Sequence, residues 1–482
     1  MQRKVLVATV AAAPLMAMAL AAQAETVINS ERTTPIATAS AGTGGAADDV
    51  KIDTGGTIKL TASGALVTLN SNNKVTNTGS LTTQGVNDST GILINGGTTG
   101  TVTNTATITL DEDYTATDTD SDGDIDGAFA LGQNRYGIRL TGPGAFTGDI
   151  LATGGSITIE GNNSAGISLE SALVGNLTNG GTIAVTGNNS YGVHVAAPVT
   201  GKVTINGGVS TVGQNSVGVA IDGDITGAFV VQGGISATGY RYTSRPSDKT
   251  VRDKLDADDL LQGGSAVRVA GNVTGGVLLD IRPADNDTTK TDEDGDGVED
   301  ASEGTSALTV YGGAPALLIG SDTGAITIGA VGTGDNAYGV IAKGTILANG
   351  LFDNVAATGV QLGGNAGQAT NIAGGFRSDA GITVQAYEAN STGIRVTAGG
   401  NAPMIWNKGT IYAYSVSEGA FDARGVVIEA GGGTTTLRNA GVINSTVVGE
   451  KGTAYGVIDL FGRPDHDREH RLDPRLDLAH GR

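Results

Sequence analysis

A phrase that returns every 26 residues constrains this chain more than any other feature. Gly155-Ser156-Ile157-Thr158-Ile159-Glu160-Gly161 is followed by Asn163-Ser164-Ala165-Gly166-Ile167-Ser168-Leu169. Gly181-Thr182-Ile183-Ala184-Val185-Thr186-Gly187 and Asn189-Ser190-Tyr191-Gly192-Val193-His194-Val195 restate it. Gly207, Val209 and Gly213, then Asn215-Ser216-Val217-Gly218-Val219-Ala220-Ile221, restate it again, and Gly233, Ile235 and Gly239 carry it one step further. Self-similarity at a fixed period marks a repeat architecture, in which no unit can bury its apolar face alone and stacking makes the core continuous.

Within each unit the apolar residues alternate with polar ones, the period of a strand rather than of a helix. Ile167 and Leu169 share one face and Ser168 points the other way. The Gly and Asn between runs tolerate positive φ and so suit tight corners. The register recurs at Asp88-Ser89-Thr90-Gly91-Ile92, Asn134-Arg135-Tyr136-Gly137-Ile138, Asn336-Ala337-Tyr338-Gly339-Val340, Thr358-Gly359-Val360, Asn390-Ser391-Thr392-Gly393-Ile394, Arg424-Gly425-Val426 and Tyr455-Gly456-Val457. Between Gly218 and Gly339 the phrase is blurred. The fold class expected is all-β, an elongated β-helix (solenoid) with inserted loops. A two-sheet sandwich would not hold this register through successive units. At about 26 residues per coil, residues 51–462 make roughly 16 coils, a rod on the order of 75 Å long.

Composition agrees. Glycine accounts for 78 of 482 residues, whereas Phe, Trp and Tyr number only 7, 1 and 11, which suits a narrow aliphatic core. There is no cysteine, so neither disulfides nor a thiolate site is available. Arg3 and Lys4, the apolar run Val5 to Leu20 and Ala22-Gln23-Ala24 read as a signal peptide over 1–24, cleaved before Glu25. Residues 25–50 form an N-terminal lead-in or cap, 51–462 the repeat region, and 463–482 a tail. The 49 Asp+Glu against 29 Lys+Arg exclude a nucleic-acid partner, whose phosphates require basic patches.

Two phrases, N-S-x-G-[IV]-x-[ILV] and N-x-G-x-[IL], the latter at Asn77-Thr78-Gly79-Ser80-Leu81, Asn407-Lys408-Gly409-Thr410-Ile411 and Asn439-Ala440-Gly441-Val442-Ile443, give the chain a resemblance to the passenger region of autotransporters. It covers nearly all of the mature chain. The resemblance implies a Gram-negative cell-surface, outer-membrane or extracellular location and a C-terminal β-barrel anchor. No barrel follows here, a departure that would leave the protein periplasmic if the barrel is truly absent. The repeat stops at Phe461-Gly462, and the charged segment Arg463 to Arg482 reads as a disordered tail from a shifted reading frame or truncated gene. Its His466, His470 and His480 have no rigid site predicted around them.

Three insertions interrupt the coils, near 111–133, 240–263 and 283–304. In the last, Asp292, Asp294, Asp296, Gly297, Asp300 and Glu303 keep the spacing of an EF-hand-type calcium loop, in which alternating oxygens wrap the ion and the final Glu binds through both oxygens. Asp118, Asp120, Asp122, Gly123, Asp124 and Asp126 keep the early spacing in the first, with Phe129 in place of the final Glu. Both are candidate structural Ca²⁺ sites; a solvated acidic loop is the alternative. The middle insertion, with Tyr240, Arg241, Tyr242 and Arg245 and then Asp256, Asp258 and Asp259, is a candidate contact loop.

Catalysis has little support. His194 is the one histidine of the repeat region, and its position is held elsewhere by Arg139, Ser168, Ala220, Gln361 and Arg395. Arg139, Arg268 and Arg395 read as isolated surface charges. The expected function is therefore a non-catalytic surface rod for adhesion, aggregation or cell-envelope contact, with a cell-surface or matrix ligand and possible self-association. The alternative is a polysaccharide-acting β-helix enzyme, a lyase or glycoside hydrolase, which two carboxylates about 5–10 Å apart in a cleft would favour.

Overall fold

Short alternating runs of aliphatic residues cannot fold alone, and here each lies parallel beside its counterpart in the next coil. The computed structural model describes residues 25–119, 125–284, 286–287, 289–293 and 299–460. Its strands form three sheets of 13 parallel strands each, every coil adding one strand to each sheet in turn. The first sheet runs from Glu25–Ile28 to Thr436–Asn439, the second from Glu31–Arg32 to Val442–Val448, and the third from Ile36–Ala37 to Ala454–Asp459. The expected β-helix is thus the observed fold. Two three-stranded sheets line the corner between the third sheet and the first. Residues 1–24, expected to be a signal peptide, and 463–482, expected to be a disordered tail, lie outside the described residues. No described helix is long and apolar enough to cross a membrane.

There are 13 coils, so the rod is about 58 Å long at ~4.8 Å per step. Twelve of them fall within 51–462, fewer than the 16 expected, because the insertions and corner strands stretch many coils well past 26 residues. Residues 25–50 supply the first coil: Glu25–Ile28 pairs with Asp49–Ile52, and two 3₁₀ turns at Thr38–Ser40 and Thr43–Gly45 fill the connection.

The core is built of vertical columns. In the second sheet, Ile58, Leu81, Ile108, Ile157, Ile183, Val209, Ile235, Leu308, Ile346, Ile382, Ile411 and Ile443 are consecutive register partners. The third sheet has a matching column that includes Ile138, Ile167, Val193, Val219, Val267, Leu317, Val360 and Ile394. This column explains the blurred stretch: Ala266-Val267 and Ala316-Leu317 take the Gly-Val positions there. Gly339-Val340, expected in the same register, belongs instead to the first sheet, where Val340 pairs with Val277 and Phe376.

Each letter of the repeated phrase has a physical duty. Asp88, Asn134, Asn163, Asn189 and Asn215 turn the corner with φ of 51–58°, a left-handed conformation that Asn and Asp adopt at little cost. The serine after each of the last three is buried, and its hydroxyl accepts the backbone N–H of the preceding coil: Arg135 N to Ser164 Oγ at 3.0 Å, Ser164 N to Ser190 Oγ at 3.1 Å and Ser190 N to Ser216 Oγ at 3.0 Å. The glycine is required by close approach, since a Cβ at Gly137 would stand 2.5 Å from Gly166 O. In the second phrase asparagines bond from coil to coil, Asn77 Nδ2 donating to Asn104 Oδ1 at 2.7 Å, both buried, and buried Asn407 Nδ2 to half-buried Asn439 Oδ1 at 2.8 Å. Such bonds give the buried amide N–H groups partners that they would otherwise lack.

Candidate functional site: the docked insertions and the outer face of the third sheet

The first and second insertions both leave the corner between the second and third sheets, four coils apart, or about 19 Å. They meet across that gap. Arg241 stacks on the Phe129 ring at 4.5 Å and donates to Ala128 O at 3.1 Å and to Gly127 O. Gly127 N donates in return to Asp258 Oδ2 at 2.6 Å. The second insertion also reaches two and three coils the other way. Tyr240 is buried against Phe352 with ring centroids 4.8 Å apart and donates to Gly350 O at 3.1 Å. Arg245 donates to Leu351 O at 2.8 Å, pairs with Asp353 at 2.5 Å and covers the Tyr387 ring at 4.0 Å. A short helix, Lys249–Arg252, capped by Asp248 through the N–H of Thr250, stiffens its middle. The contact loop expected from Tyr240, Arg241 and Arg245 is therefore a strap clamped at both ends.

The neck of the first insertion is held by a buried ion pair. Arg135 Nη1 lies 3.1 Å from Glu112 Oε2, with side chains 1% and 8% exposed. Glu112 also accepts the N–H groups of Leu131 and Gly132 at 2.7 Å each, and Arg135 Nε donates to Val86 O at 2.9 Å.

The candidate calcium ligands divide. Asp120, Asp122, Asp124, Asp294 and Asp296 lie outside the described residues. Asp118 is exposed, and Asp126 accepts a hydrogen bond from Thr119 Oγ1 at 2.7 Å. Asp126 is not grouped only with its sequence neighbours: its carboxylate lies with those of Asp256 and Asp258, one oxygen from each being within 4.8 Å of the others. A hydrogen-bonding contact with the Asp256 carboxyl, aided by burial, pushes Asp258 above the usual carboxylate range. In the third insertion, Asp292 is half-buried, Asp300 accepts the Glu293 N–H at 3.0 Å, and Glu303 is buried with Oε1 taking a hydrogen bond from the Gln232 amide. That oxygen of Glu303 is thus engaged by the rod itself.

On the outer face of the third sheet, Arg139, Ser168, His194, Ala220, Arg268, Leu318, Gln361 and Arg395 form one column. The three arginines share it but stand three or four coils apart, and each has its own carboxylate: Glu170 at 2.8 Å, Asp222 at 2.7 Å and Glu429 at 2.6 Å. The column is neutralised rather than basic. His194 stacks on Tyr191 at 4.1 Å and shares Asp222 with Arg268, its Nε2 being 2.9 Å from Oδ2. Glu170 and Asp222 follow register-paired strands two coils apart, about 10 Å. Burial alone would raise both carboxyls, but hydrogen bonds and charge from Arg139 at Glu170, and from His194 and Arg268 at Asp222, hold both below the ordinary range.

A depressed folded-state value stabilises the protein above the unfolded aspartate value, and that stabilisation is lost as pH falls through the folded one. The unfolding midpoint in urea should therefore exceed that of Asp222→Asn at about pH 7, and the gap should narrow as pH falls below the ordinary aspartate range. An undiminished gap at low pH would contradict the assignment.

The sequence does not reveal the meeting of the two insertions, since Asp126 and Asp258 are related by no period; the exposed apolar residues within both loops were the available signal. Comparison of the chain with protein-family models, with curated proteins and with solved structures finds no match.

Proposed function

We propose that this protein is a non-catalytic, exported surface rod that displays its docked insertions for adhesion, aggregation or cell-envelope contact, in the manner of an autotransporter passenger. The observation that carries this reading is the distribution of exposed apolar side chains. Among the described residues Ile125, Leu131, Tyr242, Val251 and Leu260, from 37% to 66% exposed, lie on the two insertions; of the other exposed large apolar side chains, Val27, Val442, Val448 and Leu460 belong to the end coils, and Val174 and Ile281 are scattered singly between them. Apolar side chains gathered on rigidly held loops are the mark of a contact surface. The non-catalytic part is supported by the outer column: Glu170 and Asp222, two coil steps apart, are each paired with an arginine and held below the ordinary carboxylate range, the opposite of the raised value a general acid of glycoside hydrolysis needs.

Beads coated with the protein should cluster or adhere to cells, and replacement of 240–263 by a short Gly-Ser turn should abolish this without unfolding the rod. Release of reducing ends or unsaturated sugars from a panel of polysaccharides would overturn the reading.

Ca²⁺ has a place in it as a structural ion. Asp126, Asp256 and Asp258 repel one another when all are ionised, so the raised Asp258 value means that docking is most secure with a proton bound and weakens as pH rises through that value. A divalent cation would do the same work at neutral pH, using hard oxygen ligands. Millimolar Ca²⁺ should slow proteolysis within 111–133 and 240–263 at pH 7.5, with the effect lost in Asp126→Asn/Asp256→Asn. Asp292→Ala and Glu303→Ala report separately on the third insertion. Equal cleavage with Ca²⁺ and with chelator would remove the ion from the account.

A further inference from the structure

On the outer face of the first sheet, towards the end of the rod, Arg377, Trp406 and Arg438 are register partners on three successive strands. Trp406 is the single tryptophan of the chain. The two guanidiniums flank it along the ladder, Arg377 at 5.1 Å and Arg438 at 4.4 Å from the ring centroid, and Lys408 Nζ lies at 5.2 Å. Tyr338 packs on the same ring at 5.9 Å. The indole Nε1 has no hydrogen-bond partner among the described residues, and the cations, 4.4–5.2 Å from the ring centroid, are at cation–π range.

Charge here is not balanced. Asp379 pairs with Arg377 at 2.6 Å and lies 3.8 Å from Lys408, and Asp335 is near enough to act on Tyr338. Arg438 is exposed and makes no ion pair among the described residues. Three cations around one ring thus share one close carboxylate, on a chain of net charge −20. The contrast with the outer column of the third sheet is direct, since every arginine there has its own carboxylate.

We propose that this Arg-Trp-Arg ladder binds an anionic polysaccharide. The Arg438 fork suits a carboxylate or sulfate held through two parallel hydrogen bonds, and Lys408 supplies a second point charge. The patch is an open strand face, where a single anion gains little against water and salt. A polymer with regularly spaced anions overcomes this by effective concentration, each bound group holding the next one near. The surroundings favour sugar over acidic peptide. The exposed Thr436, which precedes Arg438 by two residues on the same outward face, and the Asn401–Asn371 amide pair at 2.9 Å on the adjoining corner strands offer partners for hydroxyls. The inference does not depend on the loop-display reading, because it concerns another face and would hold for a catalytic rod as well.

Trp406 is its own reporter. The full chain is titrated at about 20 mM salt with polygalacturonate (carboxylated), dextran sulfate (sulfated), neutral dextran and poly-glutamate, with retention on the immobilised polymers as a readout independent of the ring. The proposal expects emission change and retention with at least one anionic polysaccharide and none with dextran. It also expects loss of binding at about 0.5 M salt, where screening shortens to a few ångströms. Comparing the two anionic arms tells carboxylate from sulfate. Arg438→Gln/Lys408→Gln should weaken binding at least ~10-fold with an unchanged circular dichroism spectrum, and Arg438→Lys should lose less, as a charge without the fork. No binding of either anionic polysaccharide, equal binding of dextran, tighter binding of poly-glutamate, or undiminished binding by the folded double variant would each overturn it.

Discussion

Arg135→Ala is expected to destabilise the protein by about 3–5 kcal/mol, the usual cost of removing one partner from a buried ion pair and leaving the other charge uncompensated. Glu112 would remain 8% exposed with only the N–H groups of Leu131 and Gly132 to stabilise it. The damage should be local first. The Arg135 side chain joins Val86 of one coil and Glu160 of the next to the neck of the first insertion, so cleavage within 111–133 should accelerate before the rod unfolds. Arg135→Met/Glu112→Gln should recover part of the loss, because the glutamine keeps an acceptor for the neck without a buried charge. If denaturant unfolding of Arg135→Ala matches wild type within about 0.5 kcal/mol, the pair is not the staple described.

The serine position explains why this pair was not legible in the sequence. Arg135 follows Asn134 in the slot that Ser164, Ser190 and Ser216 fill in later coils, and its backbone makes the same hydrogen bond to the next coil. The phrase therefore reads through it as one more variant. What distinguishes it is Glu112, which lies at the start of the insertion and belongs to no repeat.

Elsewhere legibility follows whether a residue's reason is local. Asn163 or Asn189 must turn a corner, and Ile167 or Val193 must face inward, so the phrase that carries them is visible at a fixed offset. Gly339-Val340 misleads for the same reason. Gly339 also lacks room for a Cβ, which would stand 2.6 Å from Ile372 Cγ2, but it does so in the first sheet, after Ala316-Leu317 has already filled the third. The asymmetry of charge on the two outer faces is further from view. Arg139, Arg268 and Arg395 look alike in sequence to Arg377 and Arg438, and only the register shows that the first three are separated and paired while the last two bracket one tryptophan. The grouping of Asp126 with Asp256 and Asp258 depends on two insertions finding each other, and no periodic signal encodes that.

The glycine column gives the second large effect. Gly192→Val should destabilise the protein by about 1–3 kcal/mol, as overpacking of a filled core does. Even its Cβ would overlap Val209 Cγ1 and stand 2.5 Å from Gly218 O. The first obstacle is a core side chain of the facing sheet and the second is backbone of the next coil, so neither can yield without disturbing the column. In a solenoid, stability is the sum of each coil and its contacts with its neighbours, and a shift at Gly192 acts on the interface with the coil of Val217–Ile221 as well as on its own. Gly192→Ala should show a smaller loss in the same direction. Gly234→Ala is the control: it begins a strand of the second sheet, and no heavy atom lies within 4 Å of its added Cβ, so its effect should stay within about 0.5 kcal/mol. Equal unfolding midpoints for Gly192→Val and Gly234→Ala would mean that the glycine of the phrase is there for its backbone conformation and not for the space it leaves.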